Sequence, residues 1–396
     1  MKNLSHLKKN TSPASNHAEL LASGKDYFEK IEALIDGAHH YIHLQTYIFK
    51  DDDTGQRIQK ALIRASGRGV KIYLLIDAYG SSSISKGFIN DMVSAGIEFR
   101  FYGKFFSKWA IHISHRMHHK ILVIDGLYSV VGGINISDDY NDIHRKHAWL
   151  DFAVLSKGPI TTDLLLICLR KWKRKNLRHV PQEYINDKNK HNSHDKGCYE
   201  YARENDPALN KNQISKTYRK AFKLAEKEMI IAGGYFIPGF KFRRLIKRAV
   251  RRGVDIKILT GSKSDVGIAK HAKQFLYSWL LRTGVEVYEY QKSNVHAKVA
   301  AIDREWSTVG SYDLNNLSAY SNIELNVDVM NEPFASHLHN VLEKIIQKDC
   351  IQITNDMLVK NYTWEKQFRA WLSYRIVRGL FKISEILIIK GKRERE

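Results

Sequence analysis

The sequence predicts an α/β protein built from two fused domains, and three observations carry that prediction. A chain of 396 residues, 43% of them hydrophobic, is too long for one ordinary core and apolar enough to fill two. One pattern occurs twice with the same internal spacing: His118-x-Lys120, Asp125 and Gly132-Gly133-x-Asn135, then His296-x-Lys298, Asp303 and Gly310-Ser311-x-Asp313. Helical and strand-like periods alternate in the same order ahead of both copies, the rhythm of an α/β sandwich. Arg68-Gly69-Val70 recurs as Arg252-Gly253-Val254 184 residues later, and His118 recurs as His296 178 residues later. A long repeat that occurs only twice implies two fused domains and not a solenoid.

In chain order, residues 1–19 are polar and basic and read as a mobile arm. Residues 20–36 place Leu20, Leu21, Phe28, Ile31, Leu34 and Ile35 at helical spacing. Residues 41–49 alternate as a strand, with His43, Gln45 and Tyr47 on one face and Ile42, Leu44, Thr46 and Ile48 on the other. Residues 55–68 form an amphipathic helix stopped by Gly69, and residues 71–77 a buried strand. The second half repeats this: a helix over 211–228, a strand from 229 towards Tyr235-Phe236, a helix over 242–252 stopped by Gly253, and a strand over 255–259. Residues 20–168 and 211–350 are then the two domains. Residues 169–210 read as a basic linker, with Arg170, Lys171, Lys173, Arg174, Lys175 and Arg178 in one block. That block is either a solvated connection or a contact for an anionic surface.

Each copy of the pattern reads as a hairpin. In an extended strand His118, Lys120 and Leu122 share one face, and His119, Ile121 and Val123 the other. His296, Lys298 and Ala300 likewise lie opposite Ala297, Val299 and Ala301. Each apolar run ends in a turn, at Asp125-Gly126 or Asp303-Arg304. A second β-rich piece follows, residues 128–131 or 306–309, and returns the Gly-x-x-Asn/Asp end to the histidine and lysine. The glycines suit a close approach of backbone to ligand.

Such a group suits phosphoryl transfer. Two histidines can divide nucleophilic and acid–base work at one centre. Lys120 and Lys298 supply positive charge, and Asn135 and Ser311 hydrogen bonds, to phosphoryl oxygens that carry charge in the transition state. There is no Gly-x4-Gly-Lys-Ser/Thr loop and no cluster with metal-ligand spacing. The expected chemistry is histidine attack on a phosphodiester without metal or cofactor. Asp125 and Asp303 sit past the apolar runs, where they secure the hairpins. His112, His115 and His119 flank the pattern, with a headgroup phosphate as their available ligand.

The duplicated motif resembles the HKD signature of the phospholipase D superfamily, and the surrounding text is similar to its bacterial cardiolipin synthase branch. Residues 41–49, Arg68-Gly69-Val70 before residues 74–77, Tyr235-Phe236-Ile237-Pro238 and Tyr288-Glu289-Tyr290 carry that likeness, which spans about residues 20–350. The resemblance implies two phospholipase D-like α/β sandwich domains about a pseudo-twofold axis, with the active site between them. It implies His118, Lys120, Asp125, His296, Lys298 and Asp303 as the catalytic set, and Gly133, Asn135, Ser311 and Glu324 as substrate-side residues. It gives the nucleophile to the N-terminal copy, hence His118. An acidic residue beyond each motif orients a histidine in that family, and Asp151 and Glu324 resemble those positions. Asp313 departs from the usual asparagine, and a carboxylate there repels phosphate unless it is protonated or paired. The implied reaction passes a phosphatidyl group between phosphatidylglycerols through a phosphohistidine. Hydrolysis to phosphatidic acid and a nuclease-type phosphodiesterase are the alternatives, and a catalytically dead binding protein is the reading from another class.

Charge and tail add the expected partners. A net charge of +21, from 63 basic and 42 acidic residues, attracts anionic lipid, nucleic acid or phosphate-rich substrates. Three widely spaced cysteines suggest neither a disulfide framework nor a zinc site, and fit a reducing compartment. No apolar stretch predicts a signal peptide or a membrane span, unlike cardiolipin synthases that begin with two spans. The protein is expected in the cytoplasm, as a monomer held peripherally at the inner face of the membrane. In the tail, residues 351–396, apolar positions from Phe368 to Ile389 are interrupted by Arg369, Arg375, Arg378, Lys382 and Lys390. This basic amphipathic helix suits either a membrane interface or a seat on the protein's own core.

Overall fold

Each half is organised by one mixed sheet, and the strand order is the same in both. The structure, a computed structural model, describes residues 4–7, 15–103, 116–175, 177–184, 197–264, 266–315, 318–319, 321–361 and 363–393, with the side chains of the last helix as far as residue 380. The first half contains β1 (His17–Ala22), α1 (Lys25–Asp36), β2 (Tyr41–Thr46), α2 (Asp53–Gly67), β3 (Lys71–Asp77), α3 (Lys86–Ser94), β4 (Glu98–Tyr102), β5 (Lys120–Ile124), β6 (Tyr128–Gly132), β7 (Phe152–Lys157) and α4 (Ile160–Lys173). The second contains β8 (Tyr199–Asp206), β9 (Lys211–Asn212), α5 (Gln213–Leu224), β10 (Glu228–Gly233), α6 (Phe240–Arg251), β11 (Asp255–Gly261), α7 (Gly267–Phe275), α8 (Tyr277–Thr283), β12 (Glu286–Tyr290), β13 (Lys298–Ile302), β14 (Trp306–Gly310) and β15 (Glu324–Met330). It closes with α9 (Glu332–Asp349), β16 (Cys350–Gln352), α10 (Asn355–Asn361) and α11 (Trp364–Arg393).

The first sheet runs β1-β7-β6-β5-β2-β3-β4, and the second runs β16-β12-β11-β10-β13-β14-β15-β8-β9. Reversed, the second contains the first: β8 pairs with β15 as β1 pairs with β7, antiparallel in each case. The β2–β3 and β10–β11 pairs are parallel, whereas β5 and β13 return antiparallel on β2 and β10. This is the duplicated fold that the repeated pattern implies.

The alternation read from the sequence decides which core each side chain enters. Leu122 and Ile124 pack outward with Phe28, Ile58 and Leu62 under α1 and α2. Ile121 and Val123 pack inward, into a core shared with Val299, Ala301, Val309, Leu325 and Val327 of the second sheet. The inner faces of the two sheets thus bury each other, and α5–α8 cover the outer face of the second.

Several local expectations are corrected. Leu20 and Leu21 lie in the edge strand β1, and the helix begins only at Lys25. Of the N-terminal arm, Leu4 and Leu7 are buried against Ile214 and Tyr218, in the core of the other half. Residues 199–206 are not linker but strand β8. The basic block ends α4 and is partly engaged inward: Arg170 pairs with Glu204 at 2.7 Å and Lys171 with Asp206, while Lys173 meets Glu183 at the surface at 2.9 Å. The helix expected over 211–228 is shorter, since residues 211–212 form β9 and Glu228 opens β10. Among the described residues no helix is long and apolar enough to cross a membrane.

Candidate active site

Two short parallel bridges join the halves, and each stands one residue before a histidine and one residue before a carboxylate. Met117 pairs with Ile323, and Leu150 with Val295. The main chain closes the first bridge with His118 N–H donating to Ile323 O (2.9 Å) and Ile323 N–H to Arg116 O (2.9 Å). At the second, Leu150 N–H donates to Asn294 O (2.8 Å), and the N–H of His296 to Leu150 O (2.9 Å). Parallel register then sets the next residues side by side: His118 beside Glu324, and His296 beside Asp151.

The side chains follow. His118 Nδ1 lies 3.1 Å from Glu324 Oε2, and His296 Nδ1 lies 2.6 Å from Asp151 Oδ2. The resemblance leads to an acid that orients a histidine; the structure shows that each acid serves the histidine of the other half. In both pairs Nδ1 faces the carboxylate, which fixes the tautomer and leaves Nε2 as the nitrogen with a free lone pair. Those imidazoles are set up for attack on phosphorus or for proton transfer.

Lys120 and Lys298 repeat one another. Each ammonium donates to the carbonyl of its own histidine, His118 or His296. Each sits near a tyrosine ring, Tyr47 for Lys120 (5.3 Å) and Tyr235 for Lys298 (6.0 Å). Both are buried. Burial, then the neighbouring Lys298 charge, pulls the Lys120 ammonium down to about 7. Burial, then Lys298, Lys120 and His118, holds His296 well below the ordinary histidine range. These are the marks of a buried pocket crowded with positive charge.

The two carboxylates differ. Burial pushes Asp151 up to about 7 against the pull of Lys298 and the Phe152 N–H. Burial also raises Glu324, but His118, the Ser311 hydroxyl and Lys120 together outweigh it and leave Glu324 below its usual value. Ser311 Oγ donates to Glu324 Oε2 at 2.5 Å, and Asn322 Nδ2 to Oε1 at 3.2 Å. Ser311, expected on the substrate, is therefore engaged with Glu324. Gly133 occupies the matching place in the first half, where a Cβ would run into the Asp151 carboxylate. The space this glycine leaves is filled by that carboxylate and not by ligand.

Other expected residues lie elsewhere. Asn135 is buried, its Oδ1 accepting from Ile48 N–H (3.1 Å) and its Nδ2 donating to Tyr140 Oη (2.9 Å), so it pins a loop. Asp125 accepts three backbone N–H groups, from His39, His40 and Tyr41, each at 2.8 Å. Asp303 does the same for Glu226, Lys227 and Glu228. His119 is buried on the opposite strand face, 2.9 Å from Gln45 Oε1, and offers nothing to a headgroup. His112 and His115 lie outside the described residues. Asp313 is buried, with Oδ2 3.6 Å from Lys298 Nζ and Oδ1 without a hydrogen-bond partner. Its carboxyl is raised by burial against the pull of Lys298.

Sequence reasoning missed Asn322, which props Glu324, and the rings around the histidines: Tyr47 against His118 (4.7 Å), and Tyr140 and Trp149 against His296 (5.4 and 6.3 Å). Among the described residues one group has metal-ligand spacing, Asp53, Asp138 and His144. None of the three belongs to the histidine–lysine cluster.

The profile of the family described as "Cardiolipin synthase, PLD-like domain" matches residues 31–150 and 218–346. The chain is 34% identical over 375 residues to cardiolipin synthase B of Salmonella typhi, covering 92% of this chain and 88% of that protein. It matches cardiolipin synthase B of Escherichia coli (strain K12) to the same extent. It is 31% identical over 324 residues to a cardiolipin synthase of Alkalihalophilus pseudofirmus, covering 81% of this chain and 64% of that one. Among solved structures, a phosphatidylserine synthase of Haemophilus influenzae Rd KW20 superposes with a TM-score of 0.71 at 13% identity, over 94% of this chain and 95% of that one. At that identity the likeness is one of fold.

Proposed function

The chain belongs to the phospholipase D-like cardiolipin synthase family, and from that premise we propose that it joins two phosphatidylglycerols into cardiolipin and glycerol. It is a phosphatidyltransferase of the phospholipase D superfamily. The observation that carries the finer reading is the crossed pair of histidine–carboxylate contacts with two buried lysines beside them.

The phosphodiester of one phosphatidylglycerol enters between Lys120 and Lys298. Nε2 of His118, in the N-terminal copy, attacks phosphorus, and the bond from phosphorus to the headgroup glycerol breaks. Burial and then the lysine charges hold His296 down; the anionic phosphoryl group offsets the lysine part, so His296 can carry the proton it gives to the departing glycerol. His296, neutral again, takes the proton from the hydroxyl of a second phosphatidylglycerol. That oxygen attacks phosphorus, the phosphorus–nitrogen bond breaks, and cardiolipin leaves. Glu324 and Asp151 hold the two rings and stabilise whichever is charged. One chain supplies both half-sites, so the reading needs no second copy. The substrates are bilayer lipids, which supports a peripheral position for the protein at a membrane surface.

The experiment is incubation of the purified chain with phosphatidylglycerol vesicles beside His118→Ala and His296→Ala, with products read by mass spectrometry. Cardiolipin plus glycerol from the wild type alone is expected. Phosphatidic acid in place of cardiolipin would make water the acceptor. Cleavage of single-stranded DNA with no lipid product would overturn the reading in favour of a nuclease.

A further inference from the structure

The last helix is docked by one stripe and bare along another. Ala370, Ser373, Tyr374 and Val377 are buried at helical spacing. Tyr374 stacks on Phe275 of α7 with ring centroids 4.8 Å apart, and its phenol accepts a hydrogen bond from Arg243 Nη1 at 2.9 Å. A helix seated this way is expected to be polar on the sides that meet water. Instead Trp364 (77% exposed), Phe368 (56%), Trp371, Leu372, Ile376 and Leu380 (58%) face outward. The rings of Phe368 and Trp371 stack on one another at 5.7 Å, and Trp364, Phe368, Leu372, Ile376 and Leu380 follow at every fourth position of the helix, so these residues share one face. Arg369, Arg375 and Arg378 are exposed beside it, with Arg375 5.9 Å from the Trp371 ring centre.

This surface is tied to the end of the sheet that carries the second half-site. Gly233, the last residue of β10, pairs with Lys298. The chain then turns through Gly234, where a Cβ would collide with the carbonyl of Val295, the residue before His296. It passes Tyr235 beside Lys298 and reaches Phe240, the first residue of α6, which is 75% exposed. One turn into α6, Arg243 holds Tyr374 of the last helix. Residues 240–251 carry Lys241, Arg243, Arg244, Lys247, Arg248 and Arg251 and no acidic residue.

We propose that the outer stripe of α11, with its arginines and the Phe240 head of α6, is the surface on which the protein docks to an anionic bilayer, presenting the Lys298 side of the cleft to the lipid. Large aromatic side chains flanked by arginines suit the interfacial zone, where rings sit at headgroup depth and cations meet lipid phosphate. A second copy is the poorer occupant. It would oppose one arginine row with another on a chain of net charge +21. This inference rests on the lipid reading of the site, and it says how a protein with no spanning helix among its described residues reaches its substrate.

The test is flotation of the full chain with phosphatidylglycerol or phosphatidylcholine vesicles, beside the double variant Phe368→Glu/Trp371→Glu. Both side chains are exposed, so the variant should melt with the wild type. The wild type is expected to float with phosphatidylglycerol and to lose binding at high salt. The variant should lose vesicle partitioning roughly tenfold or more and turn over vesicle substrate correspondingly slowly. Both proteins should process a monomeric short-chain phosphatidylglycerol at equal rates. Equal flotation of wild type and variant would overturn the proposal. So would a wild-type dimer that the variant converts to monomer with flotation unchanged, which would make the stripe a contact between copies. Failure of the wild type on the short-chain lipid would instead count against the transferase reading, whatever flotation shows.

Discussion

Asp313 shows how one residue separates two half-sites whose histidines and lysines match. Asn135, its counterpart, is bonded at both ends of its side chain to a backbone N–H and a tyrosine hydroxyl. Asp313 instead lies 3.6 Å from Lys298 Nζ with its second oxygen unmatched. Ionised, it cancels part of the charge meant for a phosphoryl group; protonated, it does not. Burial favours the protonated form and Lys298 the ionised one, and burial is the larger effect. Asp313→Asn removes the conflict at nearly constant volume, so activity should be unchanged or raised, with the gain appearing chiefly as a lower KM. A kinetic assay against phosphatidylglycerol checks this. Complete loss of turnover in a variant with wild-type melting would mean that the carboxylate has a required role.

At the level of elements, the aspartates of the duplicated pattern do structural work. Asp125 and Asp303 lie at positive φ (53° and 52°) just past β5 and β13, and each caps three consecutive N–H groups where the chain enters β2 or β10. Hydrogen bonds to a charged acceptor contribute about 1.5–3 kcal/mol each and do not add fully. Asp125→Ala should therefore cost about 2–4 kcal/mol and lower the melting temperature by several degrees, with kcat per folded molecule retained. Wild-type melting with kcat abolished would return Asp125 to the chemistry. The His-x-Lys strands and the helices ending before Gly69 and Gly253 were legible because their apolar periods are regular. Strands β1 and β8 were not. The β8 sequence places Glu200, Arg203, Glu204, Asn205 and Asp206 inside, matched by Ser156, Asp328, Arg170, Ser215 and Lys171. A strand whose buried positions are filled by ion pairs and polar bonds has no hydrophobic alternation to read, and its partners are distant in sequence. Leu20 and Leu21 satisfied a helical period by chance of spacing.

For the whole molecule, the site belongs to the pairing of halves and not to either half. The pattern revealed two histidines and two lysines. It did not reveal that Glu324 reaches back 206 positions to His118, because that contact depends on the Met117–Ile323 bridge between the sheets. Crossing has a kinetic consequence. Turnover has two chemical steps, formation and breakdown of the phosphohistidine, and the histidines take different parts in them. Loss of a carboxylate should injure the function of the histidine it touches. Glu324→Gln should therefore resemble His118→Asn in how much phosphoenzyme accumulates after rapid mixing, and Asp151→Asn should resemble His296→Asn. The nucleophile pair should give little phosphoenzyme, and the acid–base pair should form it slowly and release it more slowly still. Combining His118→Asn with Glu324→Gln should add little to the single histidine change, since the two act as one unit. The opposite grouping, with Glu324→Gln resembling His296→Asn, would show that carboxylate and histidine of the same half work together in solution, and the crossed arrangement would then have no part in catalysis.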